Sequence, residues 1–268
     1  MTAHAERLIT IKSDEEVAIM REAGQLTGQV LQMLVEATKP GVTLKELDKI
    51  VRTEYAKRGA VPTFLGYPAG SKNPYPATVC ISLNEELVHG IPVNVAAAKR
   101  GDRVIREGDI VSIDLGATYK GFVGDTAVTF GVGKIDPEAQ RLIDVTRESL
   151  RLGIEAARAG VRLGVVSGTI GDYIESQGLG VVRNYGGHGV GRQMHEEPFV
   201  PNFGKPSEGR MLRKGMVLAL EPMVTIGDYR TKTLADGWTV TTLDGSLCAH
   251  FEHTIAITDG EAQVLTLP

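Results

Sequence analysis

Apolar positions recur at helical spacing in four stretches of the chain. Behind Ser13-Asp14-Glu15-Glu16, which reads as a capping box, Val17, Met20, Ala23, Val30, Leu31 and Leu34 share one stripe until Lys39-Pro40-Gly41 stops it. Thr43-Leu44-Lys45-Glu46 opens a second helix carrying Leu47, Ile50, Val51 and Tyr55 and ending at Gly59. Asp136-Pro137 supplies an N-cap and an N1 proline for a third, with Leu142, Val145, Leu152 and Ala156 inward and a stop at Gly160. A weaker fourth runs from about Leu163 to Gln177. Stretches rich in β-branched and apolar residues predict strands over Ala77–Leu83, Asp109–Leu115, Asp125–Val132, Met216–Val224 and His253–Thr258.

The elements repeat in order. Gly41-Val42-x-Leu44 and Gly160-Val161-x-Leu163 each join a long helix to a shorter one, 119 residues apart. His89-Gly90-Ile91 is echoed by His188-Gly189-Val190, the segment ending at Asp114 by the one ending at Glu221, and Asp125-Thr126 by Glu252-His253-Thr254. The offsets drift through 99, 107 and 127, as loop insertions within a duplication would produce. A single α+β domain over residues 1–268 is expected, built from pseudo-symmetric halves of about 1–130 and 131–268.

The echoed positions are acids, and that gives the repeat chemical content. Asp114 follows Ile113 and Glu221 follows Leu218-Ala219-Leu220, and carboxylates amid apolar strand residues are costly unless compensated. A hairpin folded about Thr118-Tyr119-Lys120-Gly121 would set Asp114 opposite Asp125, where like charges repel unless one is protonated or a cation lies between them. No Lys or Arg stands in the four local segments. Four carboxylates with imidazoles from His188 or His195 suit divalent Mn, Fe, Co or Zn, and a pair of such ions would activate water and polarise a carbonyl or phosphoryl group. Taken singly, Asp114 reads equally well as a turn carboxylate and Asp125 as a solvated strand start, whereas Glu221, at the end of an apolar strand, is harder to dismiss; their joint recurrence carries the inference.

Composition narrows the class. The chain has 268 residues, 29 Lys+Arg against 33 Asp+Glu and 42% hydrophobic residues, so its balance is weakly acidic. That argues against a nucleic-acid or membrane-surface binder. No apolar run is long enough to span a membrane, and Met1 to Lys12 lacks a leader pattern. Two cysteines, Cys80 and Cys248, make no disulfide framework, which points to a reducing, cytoplasmic setting.

From about Ile11 to Leu267 the chain resembles the type I methionine aminopeptidases of the dinuclear pita-bread hydrolases. The sharpest stretch is Tyr185-Gly186-Gly187-His188-Gly189-Val190-Gly191 through His195 to Val200-Pro201-Asn202-Phe203. Supporting stretches are Ser82 to Pro92, Asp114 with Gly124-Asp125-Thr126, Asp236-Gly237-Trp238-Thr239, and Phe251-Glu252-His253-Thr254. Only 26 positions separate His195 from Glu221, too few for the helical insertion of type II enzymes.

The resemblance implies a curved antiparallel sheet covered by helices, and a metalloaminopeptidase that removes methionine from peptides and nascent chains before a small second residue. It implies two divalent ions held by Asp114, Asp125, His188, Glu221 and Glu252, with Asp125 and Glu252 shared between them. His195 thereby becomes, with His89, a substrate contact, and Glu221 also moves protons. Tyr67, Tyr75, Cys80, Met194 and Trp238 match the lining of the methionine pocket. A monomer is expected; a transient encounter with the ribosome fits the role, although no basic patch supports it. Two loops exceed the usual family spacing, one through Gly70-Ser71-Lys72-Asn73-Pro74 and one from Val95 to Arg106, and Met194 stands where an aromatic is common.

Overall fold

A computed structural model describes residues 9–268; the leader reading therefore lies, up to residue 8, outside the described residues. Helix α1 spans Asp14–Ala37, α2 Leu44–Arg58, α3 Pro137–Ala156 and α4 Leu163–Ser176. Their starts are chemically explicit. Ser13 Oγ accepts from Glu16 N at 3.2 Å while Glu16 accepts from Ser13 N at 3.1 Å. At Thr43 the Glu46 carboxylate accepts from both the backbone N–H and the hydroxyl, and Asp136 accepts from Glu138 N at 2.8 Å. Each such cap contributes on the order of 1 kcal/mol.

The strands that build the site and its surroundings are β1 Val61–Pro62, β2 Cys80–Leu83, β3 Ile110–Tyr119, β4 Phe122–Gly131, β5 Gly187–Gly189, β6 Glu196–Val200, β7 Val217–Leu220, β8 Met223–Thr225, β9 Cys248–His250, β10 Glu252–Ala256 and β11 Gln263–Val264, and shorter strands lie in the connecting segments. Nine form one antiparallel sheet in the order β1-β3-β4-β10-β7-β5-β6, with β2 also on β3 and β11 on β10; β8 and β9 pair in a separate sheet. One core joins α1 and α2 to β2 and β3 through residues such as Leu34, Leu47, Ile81 and Ile113; a second joins α3 and α4 to β7 and β10 through Leu142, Ile170, Leu218 and Ile255. Burying each such side chain contributes about 1.5–3 kcal/mol. Between them α1 comes very close to β4: a Cβ at Gly124 would lie 2.6 Å from Gly24 Cα, so only glycine permits the contact.

Two sequence expectations need correction. The β3–β4 hairpin pairs Asp114 with Ala127 and Gly116 with Asp125, not Asp114 with Asp125. The turn is the two-residue Lys120-Gly121, with φ of 49° and 80°, rather than a four-residue turn beginning at Thr118. The offset is two residues, so both carboxylates still share a face and become diagonal neighbours. The strand expected over Met216–Val224 is broken: Pro222, which has no N–H to donate, separates β7 from β8, and Glu221 stands at the break where the chain leaves one sheet for another. The other boundaries move more modestly; β3 runs on to Tyr119, and β10 begins one residue earlier than expected, which places Glu252 itself on the strand.

Candidate active site

Registers across the sheet bring the acids together. One row runs Cys80, Asp114, Ala127, Glu252 across β2, β3, β4 and β10. The next runs from Gly116 and Asp125 towards Thr254, Ala219 and His188 on β10, β7 and β5. Asp125 and Thr254 are locked reciprocally: Asp125 N donates to Thr254 Oγ1 at 3.1 Å, and that hydroxyl donates to Asp125 O at 2.8 Å. Opposed residues point to the same side of a sheet, so residues from six strands converge on one patch.

That patch floors a cavity of about 130 Å³. All five expected metal ligands line it, with His89, His195, Tyr67, Tyr75, Cys80, Met194 and Trp238; Phe64 is the one further lining residue. Neither Lys nor Arg is among them. The tightest group is Asp125, His188 and Glu252, all buried, whose ligand atoms lie within 4.8 Å of one another. His188 Nε2 is 3.9 Å from Asp125 Oδ2 and 3.7 Å from Glu221 Oε1, whereas Asp114 lies outside the tightest group and is partly open to the cavity.

The electrostatics are those of an incomplete site. Asp114 Oδ1, Asp125 Oδ1 and Glu252 Oε1 are buried without a hydrogen-bond partner. Burial pushes the Asp114 carboxyl up to about 7, with Glu221 adding to the shift against the opposing pull of His250. Burial first, then mutual repulsion, drives Asp125 and Glu252 well above the usual carboxylate range. Glu221 goes the other way: burial alone would raise it, but the imidazoles of His250, His188 and His195 hold it below its ordinary value. Three orphaned carboxylate oxygens converging with an imidazole are the donor set that a divalent cation satisfies. His188 Nδ1 lies 2.9 Å from Gly189 O, which fixes its proton there and leaves Nε2 free to ligate.

The other wall is already satisfied. Tyr75 hydroxyl is within reach of the carbonyls of Val79 (3.0 Å) and Gly90 (2.9 Å), and Trp238 Nε1 donates to Asn73 O at 3.1 Å. Tyr75 meets Trp238 edge-on at 5.2 Å, and Phe64 meets Tyr75 at 6.3 Å. Burial, then the Asp114 charge, pushes the Cys80 thiol well up, so it is a neutral thiol. His89 holds a left-handed backbone, φ 58°, a strain of about 1–3 kcal/mol that persists because its neighbours pin it. Gly90 N donates to Ser82 Oγ, and Ile81 N donates to Gly90 O at 2.8 Å. His195, at the mouth, places Nδ1 2.6 Å from the Tyr67 hydroxyl and its ring 4.2 Å from that of His188. Desolvation lowers both His89 and His195 to about 4, and His188 contributes at His195.

Two residues beside the site escaped the sequence reading. Phe64 follows no pattern beyond being an aromatic near Tyr67. His250 is 2% exposed, its Nε2 lies 3.4 Å from Glu221 Oε2, and it has no other partner there. Its position two residues before Glu252 was the available signal.

Comparison with known proteins agrees with this chemistry. The profile of metallopeptidase family M24 matches residues 18–259. The chain is 49% identical to the methionine aminopeptidase of Clostridium acetobutylicum over 260 residues, covering 97% of this chain and 99% of that one. Against methionine aminopeptidase 1 of Bacillus subtilis it is 47% identical over 259 residues, with 97% and 99% covered. The crystal structure of the Thermotoga maritima methionine aminopeptidase superposes with a TM-score of 0.91 at 44% identity, covering 97% of this chain and all of that one. Profile, near-full-length identity and fold coincide: the chain belongs to metallopeptidase family M24.

Proposed function

We propose that the protein removes the amino-terminal methionine from peptides and nascent proteins in the cytoplasm, acting where the second residue is small. The observation that carries this reading is the convergence of orphaned carboxylates, two neutral histidines and a satisfied aromatic pocket on one small cavity. Asp114, Asp125, His188, Glu221 and Glu252 would hold two divalent ions, of cobalt, manganese, iron or zinc. Such ions, when bound, supply Lewis acidity to the attacking water and the scissile carbonyl.

The chain's own groups do the rest. Glu221, kept ionised at neutral pH by the surrounding imidazoles, accepts a proton from the attacking water and passes it to the departing amine. His89 and His195 are uncharged at that pH and donate N–H to the carbonyl oxygen as it becomes an oxyanion. With the Tyr67 hydroxyl as donor to His195 Nδ1, 2.6 Å away, the ring proton sits on Nε2, which can then donate to the substrate. Trp238, Tyr75, Cys80 and Met194 take the methionine side chain; a thiol and a thioether suit another thioether because both are polarizable. The cavity, about 130 Å³, has room for one substrate side chain.

Release of free methionine from a Met-Ala-Ser peptide by metal-loaded protein, alongside Ala-Pro-Ser and Glu221→Ala controls, tests the reading. Methionine release that needs both metal and Glu221 supports it. Cleavage before proline, or methionine release that survives chelation, refutes it.

A further inference from the structure

The loop between Tyr67 and Tyr75, longer than the family resemblance leads one to expect, is closed at its base and attached at its tip. Tyr75 N donates to Tyr67 O at 2.8 Å, and Gly66 N donates to Tyr75 O at 2.8 Å. At the tip, Asn73 O accepts from Trp238 Nε1 at 3.1 Å, while Asn73 Nδ2 donates to Asp236 O at 3.3 Å. The opposite bank is equally fixed: Asp236 Oδ1 accepts from Trp238 N (2.9 Å) and Thr239 N (2.8 Å), and Oδ2 accepts from Thr239 Oγ1 (2.7 Å). Gly237 lies between the two attachment points with φ 76°, and a Cβ there would come 2.7 Å from Asn73 Nδ2. Space has thus been kept for the asparagine amide at a position whose backbone also favours glycine.

We propose that Asn73 is a positioning residue for substrate specificity: from the tip of this loop it holds the Trp238 indole edge-on to Tyr75 and so sets the width of the pocket for the first residue's side chain. The inference rests on the reading above that this pocket receives methionine. Trp238 lines the cavity and touches His89 as well as Tyr75, with ring centroids 6.0 and 5.2 Å away. Asn73 touches neither the cavity nor any expected ligand; its main-chain carbonyl meets Trp238 directly, and its side chain acts through Asp236, whose carboxylate holds Trp238 N. Its two bonds are neutral and near the surface. Losing them is worth about three- to tenfold in an equilibrium, enough to loosen a pocket without unfolding the protein.

Trp238 is the only tryptophan, so its fluorescence reports the attachment with or without metal. The test compares the metal-loaded wild type with Asn73→Ala and Asn73→Asp, which remove the amide bond to Asp236 O and so release the tip while keeping the main-chain carbonyl that Trp238 Nε1 meets, and with a deletion of residues 71–73, which removes both bonds. Expected are red-shifted, more acrylamide-accessible emission in the variants and a KM for Met-Ala-Ser raised about three- to tenfold with kcat within about twofold. The preference for methionine over leucine at the first position should fall by a similar factor, most in the deletion. Unchanged emission and an unchanged Met-to-Leu ratio in all three would overturn the proposal; should the deletion not fold, the two point variants at the exposed tip decide it. Should the wild type release no methionine, the functional reading beneath fails, and Trp238 emission still decides whether Asn73 holds the ring.

Discussion

The two walls of the cavity are built on opposite principles. The aromatic and thiol wall is complete as it stands: Tyr75 and Trp238 have partners for their polar atoms, and the rings meet edge-on. The acid wall is incomplete, with three buried carboxylate oxygens unpartnered and no positive side chain lining the space. One wall stabilises the fold; the other destabilises it until a cation arrives. Binding affinity for the metal and the shape of the pocket are therefore separable properties of one site.

The largest break in that contrast comes from Asp125→Asn. Removing one buried charge weakens metal binding, and methionine release should fall about a thousandfold or more. The same variant, stripped of metal, should melt higher than the stripped wild type at alkaline pH, where the buried carboxyl would otherwise have to ionise against Asp114 and Glu221, and differential scanning calorimetry would read the difference. A melting temperature below wild type would show that the acid wall is not under electrostatic strain.

A smaller effect is expected at His250, which stands behind the wall. His250→Leu removes the donor beside Glu221 Oε2 and should cost about 10- to 100-fold in activity or metal affinity, as loss of groups supporting a ligand generally does. His250→Gln, which can place an N–H where Nε2 was, should recover much of it. Equal loss in both variants would mean that ring packing, not the polar contact with Glu221, matters.

The pH dependence of stability separates the two kinds of group further. His89, His195 and His253 have folded values near 4, below their unfolded value, so they contribute stability above about pH 6.5 that is lost as pH falls towards 4. Asp114, at about 7, and Asp125 and Glu252, well above the ordinary carboxylate range, are raised; the folded chain binds more protons than the unfolded one, so stability falls as pH rises, for Asp114 through about pH 7. From about pH 6.5 to about 8 only the carboxyl contribution is still changing. The metal-free protein should lose thermal stability over that window, and divalent metal should reverse the loss.

The smallest effect belongs to the satisfied wall. Tyr75→Phe removes one hydroxyl bonded to loop carbonyls and should cost about 1–3 kcal/mol of stability while leaving metal content unchanged. A change in metal content would show that the walls are coupled.

Much of this was legible in the chain because the signals were local or repeated. Ser13, Thr43 and Asp136 mark helix starts by their own side-chain chemistry, and the echo of Asp114 by Glu221 and of Asp125 by Glu252 singled out the acids before any geometry was known. The hairpin register failed by two residues because Lys120, a non-glycine at positive φ, disguised a two-residue turn. The break at Pro222 was written in the sequence but masked by apolar neighbours on both sides. His250 and Asn73 could not be read at all as partners of Glu221 and Trp238, since each acts across 29 or 165 positions of chain and only folding brings the pairs together.

The most direct test of the acid wall is calorimetric titration of metal-free protein with Mn²⁺ or Co²⁺ in buffers of differing ionisation enthalpy. At about pH 6 binding should release protons as the raised carboxyls ionise, the share from Asp114 should shrink by about pH 8, and Asp125→Asn should lose most of the affinity. Metal binding without proton release, or with an affinity indifferent to Asp125, would contradict the account.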